Sequence, residues 1–431
     1  MAELIYDKTG RLLFTEEMKR EYTLLMPQML PVTFTLLKKI FELEGYKIEM
    51  LTTDHRAIVD TGLRYVHNDT CYPALLVIGQ LLDAIQSGKY DIHKLGLLIT
   101  QTGGGCRASN YIHLLRKALK KAGLEFIPVV SVNLSGLEKN PGFKLTIPLI
   151  RRLLPALLYG DILTWLGNQC RPYEMNKGEA DALIASWTER LVSLFDRNKG
   201  LWRRPMGRIM REIAADFAKI KLEGAGTKPK VGIVGEIYVK FSPLGNNKLE
   251  DFLLSEGCEP VVPGLTGFMI FKINNRDVDV DLYGGRKLKK LIVRVFQRYI
   301  EGLEREMIAA VRTQPQFSAP GCFKDLQRLI KGYLGYGNKM GEGWLLTAEM
   351  LELIHSGVKN IVCTQPFGCL PNHVVGKGMI RRLKDDFPDS NIVAIDYDPG
   401  ATRINQENRI KLMLSNAAGR PGERSGQEAT V

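Results

Sequence analysis

Apolar positions along the chain follow two rhythms: helical spacing, and short unbroken runs of strand length. Residues 23–51 read as loop, helix, strand. Leu36, Leu37, Ile40 and Phe41 recur at helical spacing, Gly45 stops the helix, and YKIEML opens a strand. The alternation continues with a helix over 74–85, the buried strand KLGLLIT, a helix over 110–122 ended by Gly123, and the strand FIPVVSV. Strands alternating with helices predict a doubly wound parallel sheet. From 143 to 223 the strand signals vanish. That stretch reads as helical, interrupted at Pro155, at 167–172 and at 200–205, and GAGTKPK (224–230) reads as a linker. A second α/β unit follows, with KVGIVGEIYV, then CEPVVPG after a helix ending at Gly257, then NIVCTQ and NIVAIDYD flanking a helix over 376–386. The expected fold is therefore α/β, with two parallel-sheet domains (1–142 and 229–416) around a helical segment and linker (143–228). The polar, glycine-rich stretch 417–431 reads as a disordered tail.

Composition narrows the class. The 431 residues suit two or three domains, and 45% hydrophobic with 25% charged residues is ordinary for a globular protein. No run approaches the ~18 apolar residues of a spanning segment, and MAELIYDKTGRLLF lacks the plan of a signal peptide. The expected location is cytoplasmic, with no membrane partner. In a reducing compartment, seven cysteines point to free, catalytic or metal-bound thiols rather than disulfides. The net charge of +12 is partly gathered in 197–221, where Arg203, Arg204, Arg208 and Arg211 join Lys219 and Lys221. No nucleic-acid motif accompanies this cluster, so it reads as a solvated helix face or a docking surface for an acidic partner or anion.

In open parallel sheets, ligands bind beyond the C-terminal strand ends. That rule selects the loop after LGLLITQ, with Gly103, Gly104, Gly105 and Cys106; the loop after NIVCTQ, with Gly368 and Cys369; and the segment 240–245 after VGIVGEIYV. Cys363 lies inside one of these strand ends. Cys71, in HNDTCYP, precedes an apolar helix whose N-terminus favours a thiolate. Soft thiolates beside glycine and proline suit iron–sulfur ligation, and small residues let backbone N–H groups reach the sulfurs. The plain alternative is that a lone cysteine is a small core hydrophobe. That reading is adopted for Cys170 and Cys258, and Cys322 is left open. No C-x-x-C occurs, and neither GGG nor YGGR (283–286) fits a phosphate-binding frame. His67 and His373, close in sequence to Cys71 and Cys369, are candidate proton donors or mere loop residues. Glu236, at a strand end, is a candidate base or hydrogen-bond anchor.

Long segments, among them VDTGLRYVHNDTCYPALLVIGQ, LLITQTGGGCRASNYIHLLRKAL, VGIVGEIYVKF and GEGWLLTAEMLELIHSGVKNIVCTQPFGCLPNHVVGKGMI, resemble the 2-hydroxyacyl-CoA dehydratase component family. Within it they are similar to the branch related to the large activase-associated proteins. The resemblance implies two flavodoxin-like (Rossmann-like) domains with an iron–sulfur cluster between them: [4Fe-4S] with an open iron in dehydratase components, or an [8Fe-9S] double cubane in a reducing branch. It implies a separate ATP-hydrolysing activase, with its own [4Fe-4S] cluster, as electron donor. Carried over, Cys71, Cys106 and Cys369 occupy ligand positions, with Cys363 as a possible fourth. The expected activity is an anaerobic lyase or ATP-dependent reductase component acting on an acyl-CoA or another small molecule, in an oligomer. The competing expectation is a non-catalytic electron carrier or cluster scaffold. A third is a binding module whose cysteines are core residues.

Overall fold

The structure, a computed structural model, describes residues 2–101, 105–132 and 138–418. Two four-stranded, all-parallel sheets form its frame. The first comprises β1 (Thr23–Pro27), β2 (Lys47–Leu51), β3 (Leu95–Thr100) and β4 (Val129–Val132) in the order β2-β1-β3-β4. The second comprises β5 (Lys230–Gly235), β6 (Glu259–Val261), β7 (Asn360–Pro366) and β8 (Asn391–Tyr397) in the order β6-β5-β7-β8. Both sheets have the same winding: the chain runs outward to one edge, then returns past its first strand to the other. The α/β reading with two flavodoxin-like domains thus holds. The winding of each sheet reverses at one point, between β1 and β3 or between β5 and β7, the position at whose strand ends open parallel sheets bind ligands.

The central strands are apolar runs because helices cover both faces. β3 is buried at every residue up to Thr100, and β7 from Ile361 to Pro366. The strand β1 is a correction to the sequence reading, which placed loop there. TLLMP is too short to show a period and ends in proline, yet it is the central strand of its sheet, paired with both β2 and β3. β5 also ends earlier than expected. Gly235 adopts φ +142°, and a Cβ there would lie 2.3 Å from the Thr364 carbonyl oxygen. The strand therefore turns at Gly235–Glu236, and Lys240 sits on the helix Ile237–Phe241 instead of in a strand-end loop.

The helical segment contains Ile147–Cys170, Glu179–Asp196 and Arg203–Phe217. Pro155 does not interrupt the first of these; it is buried inside a continuous helix, where packing outweighs one lost backbone hydrogen bond. A helical hairpin, Leu265–Tyr283 and Lys287–Arg312, extends this layer, the second helix packing on Arg203–Phe217. Arg203 and Arg211 of the basic cluster both pair with Glu306 across that contact. Between β7 and β8 the expected helix is split into a π-helical turn (Asn372–Gly376), a short 3-10 turn and the helix Ile380–Asp386. Ala417 and Ala418 belong to the last helix, Arg403–Ala418, and the rest of the expected tail, from 419, lies outside the described residues. Among the described residues, no helix is long and apolar enough to cross a membrane.

Candidate functional site

Three thiols from the two domains lie within electrostatic reach of one another, Cys106 of Cys71 and Cys71 of Cys369, where the domains touch. Cys71 is the N-cap residue of the helix Tyr72–Gln86, whose largely apolar sequence buries it in the first domain. Cys106 caps a short 3-10 turn (Arg107–Asn110) after β3. Cys369 follows β7, directly after Gly368, which is held at φ +73°. The two domains touch here. The N–H of Tyr72 donates to the carbonyl of Phe367 at 2.9 Å. A Cβ on Gly368 would lie 3.0 Å from Cys71 Cα, so glycine is what allows these loops to close. Gly105 serves a similar approach, since a Cβ there would meet Met340 Sδ at 2.3 Å. Gly103 and Gly104 lie outside the described residues.

The thiols share an environment and a local motif. Burial pushes all three up from the ordinary thiol range, Cys369 furthest. At each, a backbone N–H two or three residues ahead pulls the other way: Ala74 at Cys71, Ala108 at Cys106 and Asn372 at Cys369. These are N-terminal turn positions, where free N–H groups favour sulfur carrying negative charge. Cys71 acts electrostatically on Cys369, and Cys106 on Cys71. The Tyr111 hydroxyl lies 3.2 Å from Cys71 Sγ. Tyr111 is partly buried, and desolvation followed by the charge of Cys71 raises its pKa well above the usual phenol range.

Two buried carboxyls face the thiols. Glu236 caps the helix Ile237–Phe241, accepting from Val239 N–H at 2.9 Å. Glu342 accepts from Ile237 N–H at 3.1 Å. Burial first, and then the charge of Glu342, raises Glu236; burial raises Glu342 as well. Two adjacent buried carboxyls resist ionising together, so the pair retains a proton near neutrality. Lys272, whose ammonium donates to the carbonyl of Gly341 at 3.1 Å, is lowered by burial and acts on both Glu342 and Cys106. Beneath them, Lys240 forms a buried pair with Glu349 at 2.9 and 3.0 Å. Sequence reading found Glu236 but missed Tyr111, Lys272, Glu342 and Glu349. Their only signal was their position on segments that reach the site.

Of the other predicted residues, His373 lies beside Cys369 on the exposed side, and the rest lie elsewhere. Cys363 is a core residue of the second domain, with its thiol 3.7 Å from Asn372 Oδ1 and its pKa pushed by burial to about 12. Its charged neighbours are Asp396, Lys377 and Glu349 rather than the other thiols. His67 is 74% exposed and turns its ring toward Asp69. His373 is exposed on the turn after Cys369, its Nδ1 2.8 Å from the Cys369 carbonyl and 2.6 Å from Gln365 Nε2. Cys170 and Cys258 are buried, as expected of core residues. Cys322 donates to the Asp325 carboxylate at the start of a separate helix. Among the described residues, no three His, Cys, Asp or Glu side chains close tightly enough to hold a single metal ion. No protein-family model matches this chain, and no curated protein matches it.

Proposed function

We propose that the chain carries an iron–sulfur cluster on Cys71, Cys106 and Cys369 and works as a 2-hydroxyacyl-CoA dehydratase-like or reductase component, with a separate ATP-hydrolysing activase supplying its electrons. The observation that carries this reading is the approach of three thiols from both domains, each beside the start of a helical turn, where the two domains touch. The donor set fits such a group. The sulfurs are soft, and each is served by a backbone N–H. They do not close on one ion, whereas in a cluster each thiolate binds a different iron. Three ligands rather than four leave a coordination position for substrate. The core placement of Cys363 therefore favours an enzyme over a fully ligated carrier.

When bound, the cluster supplies one-electron chemistry at low potential. The chain supplies the rest. The Glu236–Glu342 pair holds a proton beside the thiols. Tyr111 donates or accepts a hydrogen bond at Cys71 Sγ. Lys272 places a cation near Cys106. Burial of Glu236 and Glu342 strengthens the interactions they make. The test is anaerobic purification followed by iron and sulfide analysis and EPR. Wild type, and Cys363→Ala, are expected to hold a full cluster. Cys71→Ala, Cys106→Ala and Cys369→Ala are each expected to lose it. A colourless, iron-free wild type removes the proposal, and a cluster that also requires Cys363 moves it to a carrier.

A further inference from the structure

The hairpin formed by Leu265–Tyr283 and Lys287–Arg312 carries an apolar face that none of the described residues covers. On its second helix Leu288, Leu291, Ile292, Val295, Phe296 and Tyr299 follow helical spacing, as core residues do, yet every one is exposed, from 36% at Tyr299 to 69% at Leu288. Leu282 and Tyr283, at the tip, extend the face. The opposite side of the same helix is buried at Gln297 and Ile300. The face exposes on the order of several hundred Å², more than a surface normally leaves to solvent.

Charge decides what can cover it. Between 286 and 299 the chain has six basic residues, Arg286, Lys287, Lys289, Lys290, Arg294 and Arg298, and no acidic one. Asp277 and Asp281 of the neighbouring helix answer only Lys290 and Arg294. At ~100° per residue, Lys289 flanks one side of the stripe, and Lys287 and Arg298 flank the other. A second copy, paired parallel or antiparallel, would set basic rim against basic rim. Protein interfaces are also depleted in lysine. An anionic lipid surface meets both requirements. Aliphatic side chains and Phe296 would enter the acyl boundary, lysine and arginine stems would reach up to the headgroups, and Tyr283 and Tyr299 would sit at the boundary.

We propose that this helical hairpin docks the protein, lying flat, on a membrane surface rich in anionic lipid. The test is flotation of the full chain with vesicles of phosphatidylcholine alone, or mixed with phosphatidylglycerol, at low and high salt, beside sedimentation analysis without lipid. Wild type is expected to float with the anionic vesicles, less so at high salt. The double variant Leu291→Glu/Ile292→Glu is expected to lose at least about tenfold in binding. Lys287→Glu/Lys289→Glu is expected to lose binding while keeping the wild-type circular dichroism and thermal midpoint. Three results overturn the proposal: no flotation with either vesicle, equal flotation with both, or a lipid-indifferent wild type that sediments as a dimer split by Leu291→Glu/Ile292→Glu. The last would assign the face to a second copy.

Discussion

The two α/β domains share a strand order but use their interiors differently. Among the described residues, the first domain fully buries no Asp, Glu, Lys or Arg, while the second buries Glu236, Lys240, Glu259, Glu301, Glu304, Glu342 and Glu349. In the first, contacts are tightened by shape. The helices Ala57–Tyr65 and Tyr72–Gln86 cross at Gly62 and Gly79, where added Cβ atoms would lie 2.5 and 2.3 Å from backbone oxygens of the facing helix. In the second, burial of charge is tolerated at the cost of desolvation. Winding alone does not say which half does chemistry. The first offers two thiols on an apolar scaffold, and the second adds one thiol and the groups able to hold protons.

The strongest way to break this contrast is Lys240→Met. It strands Glu349 unpaired in the core and is expected to cost about 3–5 kcal/mol in denaturant unfolding. Lys240→Met/Glu349→Leu should recover most of that loss, and a single variant as stable as wild type would show that the pair is not buried in solution. Next comes Gly79→Ala, which overpacks the first domain without touching charge. It should cost roughly 1–3 kcal/mol and leave the pH dependence of stability unchanged.

Glu304 sharpens the contrast through pH. Burial raises its carboxyl to about 7 from the ordinary glutamate value of 4.5, and it accepts from Phe323 N–H at 3.1 Å. Its neutral form is the one the fold prefers. Its stabilising contribution is therefore full below about 4.5, falls as pH rises, and is lost above about 7. Glu304→Gln keeps the acceptor oxygen and removes the titration. Its stability should match wild type at acid pH and exceed it at pH 8 by on the order of 2 kcal/mol. Equal slopes for the two proteins would refute the burial argument.

Smaller effects come from the first domain's surface. Arg116 makes two hydrogen bonds to Glu138, at 2.6 and 2.7 Å, at a part-buried site near the surface. Arg116→Met is expected to cost about 1 kcal/mol. His67→Ala, in its solvated loop, should stay within about 0.5 kcal/mol and leave any cluster intact by EPR. A loss of the signal would return His67 to the site.

Local pattern made much of the frame legible. β3, β7 and β8 are apolar runs whose bounds lie within a residue or two of those read from the chain. Gly45 and Gly123 end helices with φ +84° and +71°, as glycine past a helix end should. β1 was hidden because a run of five residues, four of them buried, carries no period. The hairpin Leu265–Tyr283/Lys287–Arg312 went unread because its exposed apolar stripe and its acidic partner helix resemble no single simple template.

For the candidate site, position at or beyond a strand end drew attention to Cys106, Cys363, Cys369 and Glu236, and a helix N-terminus to Cys71, because strand polarity and helix N-termini are local properties; they left the reading of these cysteines as core residues open. Which groups share a space was decided by the tertiary structure alone. Cys363 and Cys369 are six positions apart, yet the first remains on a buried strand and the second passes the Gly368 turn to where the domains touch. Glu349 meets Lys240 across 109 residues, and Glu342 reaches Ile237 across 105. Such pairings depend on how two sheets and a helical layer close on one another. Periodicity along the chain carries no record of that closure, because it reports which side of an element is buried and not what lies against it.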